Sequence, residues 1–378
     1  MLYPPRDLYR GRIHAYSRPI FSRGVVHREL HDSTRLPFVR EVLIGDGGFG
    51  QVYELELHAD HQTPNFLSQE DDFRAVRKEF RRSHDEVDGY KLEIQNLNIL
   101  NELCHPNIVD LLGYYTYRGR HNPIFPLAPG GDLGSVFEND RLEAFGSDQS
   151  FYFALSNLSS AVQTVHAVTS KSLDLRYKGC HHDLKPRNIL FKGNRLILAD
   201  FGLSTLTPGH ESSKDEFQIG AGHYLAPECE DFANNFKKQM VGRSSDIWSF
   251  GCILAEALTY MKRDKEAVVA FKKARAIRIG NFKTYTFHAG CRSPHPQVAT
   301  WLSELETEGT QADKLCVDLI RRMLSIDPGD RPDAGRVTAR LCSVAAIAQM
   351  HSVDALFTEL DRQTDSIEAD LEGRRYKA

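Results

Sequence analysis

Apolar and polar positions change period along this chain. From Phe38, the residues Val39, Val42 and Ile44 lead into a glycine cluster, and Val52, Leu55 and Leu57 follow it. That pattern predicts strand, turn, strand. A third strand is expected over Phe73-Arg74-Ala75-Val76-Arg77-Lys78-Glu79-Phe80, after a polar loop from about Ala59 to Asp72. The period then lengthens. Lys91 to Leu103 reads as a helix, and Phe151 to His166 places Leu155, Leu158, Val162 and Val165 at spacings of three, four and three, one buried helix face. Ile189-Leu190-Phe191 and Leu196-Ile197-Leu198-Ala199 predict two short strands joined by the turn Lys192-Gly193-Asn194. Residues 343–357, with Val344, Ile347, Met350 and Leu356, predict a last helix, followed by a charged tail through Arg374-Arg375.

Composition narrows the class. At 378 residues the chain is long for one domain and suits two lobes with terminal extensions. Its 41% hydrophobic and 26% charged residues are ordinary for a globular protein with a real core. The net charge of −4 gives no argument for a nucleic-acid or membrane partner. The charge is uneven, however: residues 1–40 carry eight Arg against three acids, +5, leaving −9 for the rest. Residues 1–35 lack a sustained period and predict an extended arm, either a docking segment or a solvated leader. The seven Cys are scattered with no C-x-x-C pair, the usage of reduced intracellular thiols. No apolar run reaches the ~18 residues of a membrane span and no signal-peptide core is visible, so a cytoplasmic or nuclear location is expected.

The chemistry concentrates in Cys180 to Gly202, CHHDLKPRNILFKGNRLILADFG, where Asp183, Lys185, Asn188 and Asp200 fall within eighteen residues. The hairpin between them brings Asp183 and Asn188 on one flank toward Asp200 on the other. Two carboxylates, an amide and an ammonium around one point suit a hard cation and a phosphate. Gly45-Asp46-Gly47-Gly48-Phe49-Gly50 is a G-x-G-x-x-G run. In dinucleotide sites a helix follows such glycines, whereas a strand-like run follows here, so it reads as a flap able to approach phosphates closely.

These motifs resemble the protein kinases. His181-His182-Asp183-Leu184-Lys185-Pro186-Arg187-Asn188 is similar to their catalytic loop, and Asp200-Phe201-Gly202 to their metal-binding turn. Cys104-His105-Pro106-Asn107-Ile108-Val109, Ala226-Pro227-Glu228, Asp246-Ile247-Trp248-Ser249-Phe250-Gly251 and Asp327-Pro328-Gly329-Asp330-Arg331-Pro332 resemble later landmarks in the right order. The resemblance covers roughly residues 38–342. It implies an α+β, bilobal protein kinase fold with a small β-rich N-lobe (about 38–127) and a larger helical C-lobe (about 128–342). On either side lie a basic extension, 1–37, and a helix with a charged tail, 343–378. An insertion is expected within 256–315, and the polar insert Thr169 to Lys178 is expected at the surface.

The resemblance also implies roles. ATP would lie under Gly45, Gly47, Gly48, Phe49, Gly50 and Val52. Phe125 would guard the back of its pocket, Pro126 and Ala128 would offer backbone to adenine, and Asp132 would accept from the ribose; Asp132 also reads as a plain helix cap. Asn188 and Asp200 would hold Mg²⁺, Asp183 would take the proton of a Ser/Thr hydroxyl on a protein substrate, and Lys185 would neutralise the transferred phosphoryl. Lys185 at this place is similar to Ser/Thr kinases. For the lysine that grips the phosphates, Lys78 is preferred over Arg77, since a guanidinium is harder to place there. Its carboxylate partner is either Glu93, or missing, because the usual spacing falls on Asn96. A missing pair would favour a pseudokinase, a binding or scaffold protein of the same shape. Finally, His182 stands where many kinases carry an arginine that pairs with a phosphate on the activation segment. A free imidazole titrates at about pH 6.5 and cannot form arginine's bidentate pair, so activity without phosphorylation of that segment is expected.

Overall fold

The six-stranded sheet of the first half is built around the predicted glycine hairpin. In the computed structural model, residues 27–47, 50–61, 67, 74–80, 87–170, 175–208, 215–216, 222–231, 237–238, 240–279, 282–289 and 293–375 are described. Strands β1 (His27–Leu30), β2 (Phe38–Gly47), β3 (Gly50–Leu57), β4 (Arg74–Phe80), β5 (Gly113–Tyr117) and β6 (Arg120–Pro126) lie in the order β1-β5-β6-β4-β3-β2. All neighbours are antiparallel except β1 with β5. Leu55, Leu57, Ala75, Leu112, Tyr115 and Ile124 form the core on one face of this sheet. Helix α1 (Val87–Asn101) follows β4.

The second half is helical. It comprises α2 (Leu133–Phe137), α3 (Asp148–His166), α4 (Arg243–Lys262), α5 (Lys265–Ala274), α6 (Pro296–Glu308), α7 (Gln311–Met323) and α8 (Ala334–Arg375); α3, α5, α6 and α7 pack against α4, and α8 packs on α3 and α7. Every residue of α4 from Ser245 to Met261 is buried, as expected of a helix wrapped on all sides. Strands β7 (Val168–Ser170), β8 (Leu175–Cys180), β9 (Ile189–Lys192), β10 (Arg195–Leu198) and β11 (Thr205–Pro208) lie between α3 and α4, and the hairpin β12 (Ile277–Ile279)/β13 (Phe282–Thr284) follows α5. A β-rich region before a helical one is the two-lobed α+β arrangement expected from the sequence. Among the described residues, no helix is long and apolar enough to cross a membrane.

Several elements depart from expectation. Regular structure starts before Phe38, because β1 adds a parallel edge to β5, with His27 Nε2 2.8 Å from Thr116 Oγ1 and its ring stacked on Tyr114. A four-residue strand carries too few alternations to announce itself. The insert after α3 is not only surface loop: β8 pairs with β7 on one side and β11 on the other. The last helix starts at Ala334 and runs to Arg375, longer at both ends than the expected 343–357, so the residues expected as a charged tail continue it. Val337, Leu341 and Val344 bury its first half in the common core that includes α3.

Strand parity decides where the two cations of β4 go. Ala75 and Arg77 share the core-facing side, and Lys78 points the other way. Arg77 is buried against the Tyr53 ring, with Nη1 3.1 Å from Glu79 and 3.0 Å from Asn122, and Nη2 on Glu41. Removing one partner of a buried ion cluster leaves the others uncompensated. Arg77→Met is expected to lower unfolding stability by about 3 kcal/mol, read from urea midpoints. An unchanged midpoint would show that the cluster is dispensable.

Candidate active site

The loop after β8 is set by one buried carboxylate. Asp246, in the first turn of α4, accepts from the backbone N–H of His181 at 2.7 Å and of His182 at 2.9 Å. It also bonds His166 Nε2 at 3.0 Å. Burial alone would raise its pKa; the hydrogen bond and charge of His166 outweigh that and hold it at about 2. Two non-glycine residues here take the left-handed region, His182 and Asp200, each with φ 63°. Such backbone is costly and persists only where the surroundings hold it. His181 supplies part of that hold, its Nε2 lying 3.1 Å from the carbonyl of Ala199 and its ring against Phe201. Burial lowers the His181 pKa, so the ring is neutral at pH 7.

The predicted β9–β10 hairpin pairs Ile189 with Leu198, and the Ala199 N–H donates to the Asn188 carbonyl at 2.9 Å. Asp183 Oδ2 accepts from Lys185 Nζ at 2.7 Å and from Asn188 Nδ2 at 2.9 Å. Asn188 Nδ2 also donates to the Asp183 carbonyl at 2.8 Å. The amide nitrogen of Asn188 is thus committed to Asp183, and its oxygen is the donor it would offer a cation. Lys185 is close enough for its charge to act on Asp200 as well.

Lys78 joins the two halves. Its Nζ lies 2.9 and 2.8 Å from the two oxygens of Glu93 on α1 and 3.0 Å from Asp200 Oδ1. Burial would lower the Lys78 pKa, but the charges of Glu93 and Asp200 outweigh it and raise it. Burial raises Glu93, with Lys78 partly offsetting it. Burial works in the same direction on Asp200, yet Lys78 holds that carboxyl below its ordinary value. Asn96, one turn from Glu93, donates instead to the Ser204 carbonyl at 2.7 Å. Adjacent turns of α1 therefore hold Lys78 and the chain just after Asp200-Phe201-Gly202.

The glycine hairpin sits at the far end of β4. Val52 pairs with both Gly45 and Lys78, and Gly47 pairs with Gly50. At Gly50, φ is 149° and a Cβ would stand 2.2 Å from the Glu79 carbonyl, so only glycine fits. Gly48 and Phe49 lie outside the described residues. Phe125 and Pro126 end β6 beside Val76 and Ala75, and Ala128 follows, so they line the link between the halves. Asp132 caps α2, its Oδ1 accepting from the Ser135 N–H at 3.0 Å and its Oδ2 from Ser135 Oγ at 3.1 Å. That is the cap reading; the capping bonds leave lone pairs on both oxygens.

Further anchors complete the site. Arg331 Nη1 and Nη2 bond Glu228 Oε1 and Oε2 at 2.6 and 2.8 Å, a bidentate pair. His182 is buried with Nε2 3.1 Å from Thr205 Oγ1, tying it to the start of β11. Sequence reasoning missed a buried triad in which Glu256 accepts from Tyr224 Oη at 2.7 Å and from Arg275 Nη2 at 2.6 Å. The signal was there: Glu256 is a lone charge within the apolar run Leu254-Ala255-Glu256-Ala257-Leu258.

Residues 38–341 match the protein kinase domain model. The chain is 30% identical over 258 residues to the Arabidopsis thaliana leaf rust 10 disease-resistance locus receptor-like protein kinase-like 1.4, covering 68% of this chain and 34% of that one. It is 27% identical to human serine/threonine-protein kinase Nek2, covering 58% and 45%. With serine/threonine-protein kinase PKH3 of Eremothecium gossypii it shares 28% identity, covering 57% and 27%. The chain thus spans between about a quarter and a half of the length of these relatives.

The ion pair at Lys78 has a chemical readout. An ammonium with a raised pKa resists acylation. Glu93→Gln should lower that pKa and speed labelling of Lys78 by an amine-reactive ester about tenfold or more, measured by mass spectrometry at pH 8. Asn96→Ala should leave the labelling rate unchanged. The reverse ranking would contradict the pairing.

Proposed function

We propose that this chain, which belongs to the protein kinase family, transfers the γ-phosphoryl of ATP to Ser/Thr hydroxyls of protein substrates. The observation that carries this reading is the convergence of Lys78, Glu93, Asp200, Asp183, Lys185 and Asn188 around one cleft, with the contacts given above. The match to the kinase family supports ATP as co-substrate; the Ser/Thr relatives and Lys185 support the acceptor class.

Catalysis follows from charge and position. Asp183 orients the acceptor hydroxyl and takes its proton as the oxygen bonds to the γ-phosphorus and the bond to the β,γ-bridging oxygen breaks, releasing ADP. Lys185, 2.7 Å from Asp183, is placed to offset charge on the phosphoryl in flight. Lys78, held by Glu93, grips the remaining phosphates. Gly45, Gly47 and Gly50, with Val52, cover the nucleotide, and Phe125, Pro126, Ala128 and Asp132 bound its base and sugar. The Asn188 amide oxygen and the Asp200 carboxylate are hard oxygen donors, the set that magnesium takes together with substrate phosphates and water. When bound there, Mg²⁺ offsets triphosphate charge. The alternative of a pseudokinase drew its force from a missing partner for Lys78, and Glu93 at 2.8 Å removes that ground.

His182 shapes regulation. Its Nε2 engages Thr205, an uncharged hydroxyl, so ordering of the segment does not call for a phosphate at that place. The test uses this chain expressed with a phosphatase, residues 203–226 verified unmodified by mass. Labelled phosphate should pass from ATP to a generic Ser/Thr protein, and Asp200→Ala should lose at least about a thousandfold in rate while remaining folded. Equal transfer by Asp200→Ala, or activity arising only after phosphorylation of that segment, would overturn these assignments.

A further inference from the structure

Helix α4 carries two sites on one rod. Its first turn holds the Asp183 loop through Asp246. Next, Ser249 Oγ donates to the Tyr224 carbonyl at 2.8 Å, and further along Glu256 accepts from Tyr224 Oη. Beyond Glu256, the residues after α4 fold back against the same segment. Arg275 is buried between the rings of Phe271 and Phe287, 4.2 and 3.8 Å from their centroids, and pairs with Glu256. The ring of Tyr285 stacks on His223 at 5.3 Å and 13°. Thus α5 and the β12–β13 hairpin stand against residues 222–228.

That ledge is basic in a way that the fold does not explain. Lys262, Arg263 and Lys265 near its start, and Arg275 inside it, each pair with carboxylates. Lys272, Lys273, Arg278 and Lys283 are all exposed, and none has a carboxylate partner among the described residues. Lys272 and Lys283 instead stand over the Tyr285 ring, 5.6 and 5.4 Å from its centre. Arg278 and Lys283 sit directly opposite one another across β12–β13. Like charges at such a pair destabilise a hairpin, so this arrangement is unfavourable until an anion arrives. His223 adds no cation of its own: burial, then Lys272 and Arg275, lower its pKa. Glu256 is the carboxylate that acts on His223, and it is already paired with Arg275 and Tyr224.

We propose that the ledge formed by Lys272, Arg278, Lys283 and Tyr285 binds acidic side chains of the protein substrate, selecting acceptors that lie near Asp or Glu. This rests on the phosphoryl-transfer reading for its catalytic half. Asp246 and Glu256 are ten residues apart, about 15 Å along α4. An extended peptide crosses a distance of that order in roughly four to five residues, so acids placed three to six residues from the acceptor bracket it. The contacts are exposed ion pairs, so the selection acts on KM and weakens with salt.

The test compares peptides holding one Ser and a block of Glu, Gln or Lys three to six residues away on either side, using the full chain. Wild type should favour the Glu peptide over the Gln peptide about tenfold in kcat/KM, mostly through KM, and lose most of that at about 0.5 M salt. The double variant Lys272→Glu/Lys283→Glu should reverse the order and favour the Lys peptide, a gain that misfolding cannot produce. Equal use of Glu and Gln peptides by wild type, or a Glu preference that survives charge reversal, overturns the proposal. Anisotropy of a labelled Glu peptide separates the two readings. If nothing is phosphorylated but the peptide binds wild type and not the variant, the ledge stands and phosphoryl transfer falls. Without binding or transfer the ledge falls too.

Discussion

A single ammonium closes this molecule. Lys78 Nζ comes from a strand of the sheet, meets Glu93 on α1, and reaches across to Asp200 in the helical half. Three charges taken from water are costly apart and compensate each other only in one geometry. Their titration carries the mark of this: Glu93 and then Asp200 raise Lys78, and Lys78 lowers Asp200, against burial in both cases. Anything that moves β4, α1 or the Asp200 turn breaks the cluster. The cluster is therefore a gauge of whether the two halves are set for chemistry.

On the helical side, α4 fixes the other reference points. Asp246 sets the loop before Asp183, Ser249 and Glu256 hold Tyr224, and Arg331 passes the ring of Trp248 to reach Glu228. A helix buried on all sides is a rigid place from which to hang loops. The loops themselves carry uncommon backbone at His182 and Asp200, which that support sustains.

Much of this was legible in the sequence, and the limits are physical. The β9–β10 hairpin and α3 follow from local alternation and a three-four spacing, signals that need no tertiary context. The choice of Lys78 over Arg77 rested on the shape of a guanidinium, since strand parity allowed either residue. What separates them is Glu41 and Asn122 beside Arg77, partners from two other strands that no local pattern brings to it. Glu93 was obscured for a related reason. Counting residues back from His105 marks Asn96, whereas the structure uses both, one on Lys78 and one on the Ser204 carbonyl. Strand β1 and the β8–β11 pairing escaped because a few residues against a distant edge leave almost no periodic trace. Helix α8 ran on through Arg375 because its second half is rich in charge, which reads as a tail where no core-facing stripe marks the helix.

An ammonium, Lys78, and hard oxygen donors on Asn188 and Asp200 stand where a metal–triphosphate complex is proposed to bind. Calorimetric titration of ATP with and without Mg²⁺ tests it directly on the full chain. Wild type should bind ATP more tightly with Mg²⁺ present. Asn188→Ala should lose much of that dependence, and Lys78→Met should weaken binding under both conditions. Affinity that ignores Mg²⁺ in wild type, or that Lys78→Met leaves intact, would contradict the account.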